Sequence, residues 1–282
     1  MGLHNPCAHF LAHEARYRPI TGRVLTLGRQ TIHFGEDEFR QILDIEGFVP
    51  KSVPAGQVFD DHKFFAMLGA AQTDSMDISG YEGATIIHNL NSTIDDNLRN
   101  KSDFIYNGST LDNVFNPISG LKNTSQLLRA GGRIIHIEHA SNYTNSAYLQ
   151  FSPSWFSDYY IVNNFRDVKA YIALFTTIDG AWNLFACPPD ESGQIYPFQS
   201  EYPAFVVIVA EKGENSTWNA EPVQGVYRSK DMWDAFRGSL SGLAESDRPL
   251  IRPPLAVQPK GLPVNYVGLG EIGGNAPPPA KQ

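Results

Sequence analysis

The run RIIHIEH at positions 133–139 sets His136, Glu138 and His139 at the end of an apolar stretch, directly ahead of the polar segment ASNYTNSAY. A histidine titrates near pH ~6.5, so a modest shift makes it a proton acceptor at neutral pH. His139 is therefore the candidate general base for a hydroxyl or amine that must lose a proton. His136 lies deeper in the same run and is expected to point the same way as His139, with Glu138 facing the opposite side. Tyr143 joins His139 as a catalytic candidate, and Asn142 and Tyr148 add polar groups suited to an acceptor. Asp77, in TDSMDIS, is a carboxylate able to accept two hydroxyl bonds, or a local cap ahead of Ser79. His33, in LGRQTIHFG, is placed among the substrate contacts. His9 and His13 share a helical face, but third and fourth ligands with clear spacing are missing, so no metal site is expected. The histidine-bearing N-terminal helix is expected to lie over the mouth of the site.

These groups need a frame. Residues 103–138, DFIYNGSTLDNVFNPISGLKNTSQLLRAGGRIIHIE, read as strand, tight turn, helix, glycine stop and strand. Phe104, Ile105 and Tyr106 form a buried strand bounded by Asn107-Gly108-Ser109. Pro117 opens a helix with Ile118, Leu121, Leu127 and Leu128 on one face, and Gly131-Gly132 is its expected left-handed stop. Two strands joined by such a helix are parallel neighbours, and ligands bind beyond their carboxyl ends. Here those ends are Asn107-Gly108-Ser109 and His139-Ala140-Ser141-Asn142. Further strands are predicted at 24–27, ending at Gly28, and at 74–78, 85–90, 167–175 and 205–211. Helices are predicted at 36–45, 63–69 and from Pro153. The alternation gives the α/β class.

The aspartate-phenylalanine strand, the polar-glycine turn, TLDNVFNP and LLRAGGRIIHI together resemble the fourth and fifth strands of class I S-adenosylmethionine-dependent methyltransferases. The closest resemblance is to methyltransferase-like proteins often found with bacterial glycan or secondary-metabolite genes, and it covers residues 22–212. It implies a Rossmann-like, doubly wound, mostly parallel seven-stranded sheet with an antiparallel edge strand. It implies S-adenosylmethionine as cofactor, with Gly28, Arg29 and Gln30 after the first strand and Asp77 on the ribose. Asn89 would meet the adenine, and Asn107, Gly108 and Ser109 would lie under the sulfonium. The family usually carries a GxGxG turn where this chain has LGRQTIHFG, so the loop is bulkier. Arg29 either pairs bidentately with the methionine carboxylate or fills the pocket itself. The implied reaction is methyl transfer to oxygen or nitrogen of a small polar acceptor, a sugar or secondary metabolite. The altered turn, with asparagine at 89 and 107, keeps a second reading open, an inactive methyltransferase-fold binding or scaffolding protein. A nicotinamide oxidoreductase would need the GxGxxG turn that is missing.

The spans divide into a helical lead-in at 1–20, the methyltransferase-like domain at 21–213 and an extension at 214–282, whose GGNAPPPAKQ end reads as a disordered tail. A net charge of −8 argues against a nucleic-acid partner. No apolar run approaches the ~20 residues of a membrane helix, and the N-terminus lacks a secretory pattern. With only two cysteines, Cys7 and Cys187, the expected setting is reducing and cytoplasmic, with no membrane partner. Nothing in the sequence fixes the oligomeric state.

Overall fold

The computed structural model describes residues 2–54, 56–187, 200–241 and 264–267. Part of the proline- and acid-rich connection, 188–199, and the expected tail at 273–282 lie outside them. The strands are β1 (Gly22–Leu27), β2 (Ala70–Asp77), β3 (Ile86–Ile87), β4 (Ser102–Gly108) and β5 (Leu128–Ser141), followed by β6 (Arg166–Leu174), β7 (Trp182–Ala186), β8 (Ala204–Glu211) and β9 (Val264–Val267). The helices are α1 (Asn5–Tyr17), α2 (Glu36–Ile45), α3 (Asp61–Leu68), α4 (Pro117–Leu127), α5 (Pro153–Val162) and α6 (Lys230–Ser241).

The strands form one sheet in the order β3-β2-β1-β4-β5-β8-β6-β7-β9. Pairings from β3 to β5 are parallel, while β8 is antiparallel to β5 and β6, and β7 to β6. The Rossmann-like α/β frame with its antiparallel side matches the expectation. The strand count is nine among the described residues, not seven, because β7 and β9 extend the far side. The strand order turns at β1, flanked by β2 and β4. In open α/β sheets, the crevice outside the strand ends at that point is the ligand position.

Apolar residues on the two faces of the sheet build separate cores. On one, Val24, Phe104, Tyr106, Ile135 and Val207 pack with α1, α2 and α3. On the other, Leu25, Ile105, Ile134 and Ile208 pack with α4, α5 and Phe236 of α6. The 3.6-residue spacing of Phe39, Ile42 and Leu43 turns one side of α2 inward. Helix α1 is itself a core layer: Cys7, Phe10, Leu11 and Ala12 are buried, and Phe10 meets Tyr171 edge-on. It therefore packs on a sheet face and is not a cover over the mouth. Its His9 and His13 reach the buried carboxylate of Glu46 at 2.9 and 3.3 Å.

Pro117 opens α4 as predicted, and the Asn116 side chain caps it by accepting from Ser119 N at 3.2 Å. Its end differs from the expected one. The helix stops at Leu127, and Leu128 already pairs with Ser102 in the sheet. Gly131 takes its positive φ of 77° inside the irregular start of β5, where its N–H donates to Lys212 O at 2.7 Å. The glycine is required for a strand irregularity, not a helix cap. Ile118, expected inward, is 53% exposed.

After β8 the chain is tied down at once. Lys212 Nζ donates to Asn100 Oδ1, Ser125 O and Leu128 O, and Asn163 binds Thr217 and Ala220. Helix α6 packs against α5, with Arg228 spread over Phe236 and paired with Asp158. Among the described residues no helix is long and apolar enough to cross a membrane.

Candidate functional site

Gly28 ends β1 with φ 70°, a left-handed turn that glycine adopts without strain. A Cβ there would lie 3.6 Å from Asp77 Oδ2, across the tip of β2. The Asp77 carboxylate is half-buried and accepts a 3.3 Å bond from Ser79 N through Oδ1. That is the local turn anticipated for it, with no helix following, and Oδ2 is left on the crevice side. Asn89, at the end of the β3 segment, is exposed, and its Oδ1 accepts from Asn91 N and Nδ2 at 3.0 and 2.9 Å. Its acceptor oxygen is engaged within its own turn.

The first loop carries polar side chains where small ones were to be expected. Arg29 is bonded to Asp61 through Nε (3.1 Å) and Nη2 (2.8 Å), with Asp60 at 3.6 Å. The Nε–Nη2 edge of its guanidinium is thus engaged by the start of α3. Gln30 is buried at 4% exposure. Its N–H donates to Asp61 Oδ2, and its Nε2 donates to Leu27 O at 2.9 Å and Gly28 O at 3.4 Å. Thr110 Oγ1 also donates to Leu27 O, at 2.7 Å.

The tips of β4 and β5 hold a buried polar cluster. Parallel register sets Asn107 beside His136 and Gly108 beside Ile137. Asn107 Nδ2 donates to His136 Nδ1 at 2.7 Å and to Glu138 Oε1. His136 Nε2 then donates to Tyr160 OH at 2.6 Å, so the ring is the neutral tautomer. Full burial lowers its pKa to about 3. His136 was expected to point the same way as His139, with Glu138 opposite. His136 and Glu138, two residues apart in the strand, share a face instead: His136 packs on Phe156 and Tyr160, whereas His139 packs on Tyr143 and Phe205. The Glu138 carboxyl also accepts from Leu111 N (3.1 Å) and Asp112 N (3.3 Å).

Glu138 faces Asp112, the residue that sequence reasoning missed. Burial, then the charge of Asp112, push the Glu138 carboxyl well above the usual range. Burial pushes Asp112 up as well, but hydrogen bonds from His139, Glu138 and Ser109 outweigh it and hold the carboxyl below its usual value. The two carboxyls are thus pushed in opposite directions, Glu138 towards its protonated form and Asp112 towards its ionised one. Asp112 Oδ2 accepts from Ser109 Oγ at 2.6 Å and from His139 Nδ1. Ser109 turns with φ 58°, and its Oγ also lies 3.0 Å from His139 Nδ1. Serine and aspartate meet the same ring nitrogen, so this is not the nucleophile–base–orienter chain of a serine hydrolase, which uses both nitrogens. With Nδ1–H held by Asp112, Nε2 of His139 is the position that can take a proton.

Tyr143 stacks on His139, ring centroids 5.0 Å apart. Asn142, at φ 56°, donates through Nδ2 to Ser200 O and Tyr202 O, so the amide expected to meet an acceptor is engaged by main-chain carbonyls. Tyr148 is 74% exposed and meets exposed Phe115 edge-on. His33 is exposed and stacks on His4, which is bonded to Asp179. It belongs to the tie between residue 3 and the first loop, through the Leu3–Ile32 bridge, rather than to the His139 cluster. The signal for Asp112 was present as the acid in STLDN, three residues after Ser109 in a tight turn.

No family model matches the chain, and no curated protein matches it in sequence. Solved structures do align with it. TehB from Haemophilus influenzae is 14% identical with a TM-score of 0.38, over 72% of this chain and 61% of that one. The possible histamine N-methyltransferase of Thermotoga maritima, an S-adenosylmethionine-dependent methyltransferase, is 16% identical with a TM-score of 0.35, over 73% of this chain and 91% of that one. Phosphoethanolamine N-methyltransferase 2 of Haemonchus contortus, in complex with S-adenosylmethionine, is 11% identical with a TM-score of 0.38, over 72% and 52%. The chain thus spans less than two thirds of the first and third. At these identities and scores the likeness carries no argument about activity.

Proposed function

We propose that this protein is an S-adenosylmethionine-dependent methyltransferase acting on oxygen or nitrogen of a small polar acceptor. The observation that carries the reading is the pairing of Gly28 and Asp77 at the turning point of the strand order. A backbone without a side chain and a carboxylate with an oxygen turned towards it, 3.6 Å from a Cβ at that place, fit the ribose end of an adenosyl group. Gly108 leaves a second side-chain-free tip on β4. Bound there, the cofactor would supply a methyl group already activated on sulfonium.

The chain's own part is to position the acceptor and move a proton. Asp112 fixes the His139 ring by Nδ1 and stabilises the imidazolium that forms when Nε2 takes the acceptor's proton. Glu138 keeps its own proton and so leaves the negative charge on Asp112. Tyr143 lies across the ring and excludes water until an acceptor displaces it. A second reading, a binding protein of the same fold without transfer, is favoured by the engaged Arg29 and Gln30. Native mass spectrometry after incubation with S-adenosylhomocysteine tests the first step. One added nucleoside per chain is expected, and its loss in Asp77→Ala. An unchanged mass for the native chain contradicts the methyltransferase reading and favours the second one.

A further inference from the structure

Gln30 is the most informative polar side chain not yet given a role. Its carboxamide lies between the two glycine tips. A Cβ on Gly108 would come within 2.6 Å of Gln30 Oε1, and one on Gly28 within 3.9 Å of Nε2. The side chain therefore uses the bare face of Gly108 and spans the crevice between β1 and β4. It is only half satisfied. Nε2 donates to the Leu27 and Gly28 carbonyls, while Oε1 is buried without a hydrogen-bond partner. A buried amide oxygen with no donor is costly, so this rotamer is held by what Nε2 gains at the end of β1.

Nε2 donates to two main-chain carbonyls at the strand end, Gly28 O and Leu27 O, the latter also accepting from Thr110 Oγ1 at 2.7 Å. On each it occupies a lone pair that a ligand N–H could take in its place. We propose that Gln30 sets the affinity of this crevice by standing in for the primary ammonium of an amino-acid-bearing nucleoside, and that it leaves when such a ligand binds. The proposal rests on the cofactor reading above. Covering the crevice is then not a loss of the site but a competition within it. The apparent dissociation constant is raised by the fraction of chains in which Gln30 is closed. Once displaced, Oε1 regains a donor from water or from the ligand.

Calorimetric titration with two probes tests this. S-adenosylhomocysteine carries the ammonium, and 5′-methylthioadenosine carries the same nucleoside without it. Gln30→Ala is expected to tighten S-adenosylhomocysteine by about tenfold and to leave methylthioadenosine within about twofold. Gln30→Met keeps the volume on Gly108 but gives up the donor, and it should show the same selective gain, which separates competition from loss of packing. Equal tightening of both probes would mean that the side chain is only a steric cover, and no change with either variant would mean that it does not compete; each overturns the proposal. If neither probe binds the native chain or either variant, the cofactor reading itself fails, and this inference with it.

Discussion

Glu138 is the residue whose chemistry is most sharply set by its surroundings. It accepts from Asn107 Nδ2, Leu111 N and Asp112 N, so truncation strands several buried donors. Glu138→Ala is expected to cost about 3 kcal/mol in urea unfolding, and Glu138→Gln much less, because a neutral amide preserves shape and a proton. The sign of the pH effect follows from the raised carboxyl. The folded chain keeps a proton that the unfolded chain releases above the ordinary value of 4.5, so native stability from this group falls as pH rises from there. The Gln variant lacks that penalty, and the gap between it and the native protein should move in its favour from pH 5 to pH 8. A flat gap would mean that Glu138 is ionised. Asp112 contributes oppositely, with stability present above 3.8 and lost as pH falls through its lowered value. Sequence reasoning placed His139 and its neighbours at the right strand end. It misplaced His136, taken as pointing the same way as His139 although three residues separate them in the strand; His136 shares its face with Glu138 and Asn107 instead. Asp112 escaped because a short turn, not a periodic element, brings it back onto β5.

At the scale of elements, the strand-turn-helix-strand unit from 103 to 138 was legible because proline, glycine and β-branched residues punctuate it. The helix end was not. Gly131-Gly132 reads as a cap, yet the helix ends at Leu127 and Leu128 is already drawn into pairing with Ser102, so tertiary pairing overrides the local signal. Helix α1 shows a similar override. Its histidines suggest an active-site cover, but its apolar residues bury it, and a shared carboxylate takes up His9 and His13. Burial raises Glu46, and the bonds from His13 and His9 outweigh it, so the carboxyl is held below its usual range. Its contribution is present above about the ordinary 4.5 and is lost as pH falls through the lowered value. Glu46→Ala should therefore cost about 2 kcal/mol at pH 7, with the difference from the native protein closing below the carboxylate range. A difference independent of pH would show that packing alone, not the Glu46 carboxylate, joins α1 to α2.

For the whole molecule, the sheet's two sides divide the work. The parallel side, β3 to β5, gathers Gly28, Asp77, Gly108 and the Glu138–Asp112–His139 chain at its carboxyl tips. On the antiparallel side β8 pairs with β5, and α6 packs on α5. After residue 213 the aromatics Trp218, Trp233 and Phe236 suggest one more helix packed on the body, and α6 carries Trp233 and Phe236 into the α5 core, but nothing in the composition reveals that Arg228 pairs with Asp158. Burial raises the Asp158 carboxyl, and Arg228 pulls it back only in part. Removing residues 222–282 strips both contacts. It should lower stability by about 3 kcal/mol, with part recovered by Asp158→Asn, while the 213–220 clamp on Asn163 keeps the sheet folded. An unchanged melting temperature would show that the extension is not part of the core. The central claim concerns the carboxyl tips, and a crystal structure with S-adenosylhomocysteine tests it most directly. The predicted result is ribose hydroxyls on Asp77, the amino-acid end between Gly28 and Gly108, and Gln30 swung away from the Leu27 carbonyl. A nucleoside lodged elsewhere, or bound with Gln30 still on Leu27 and Gly28, would contradict it.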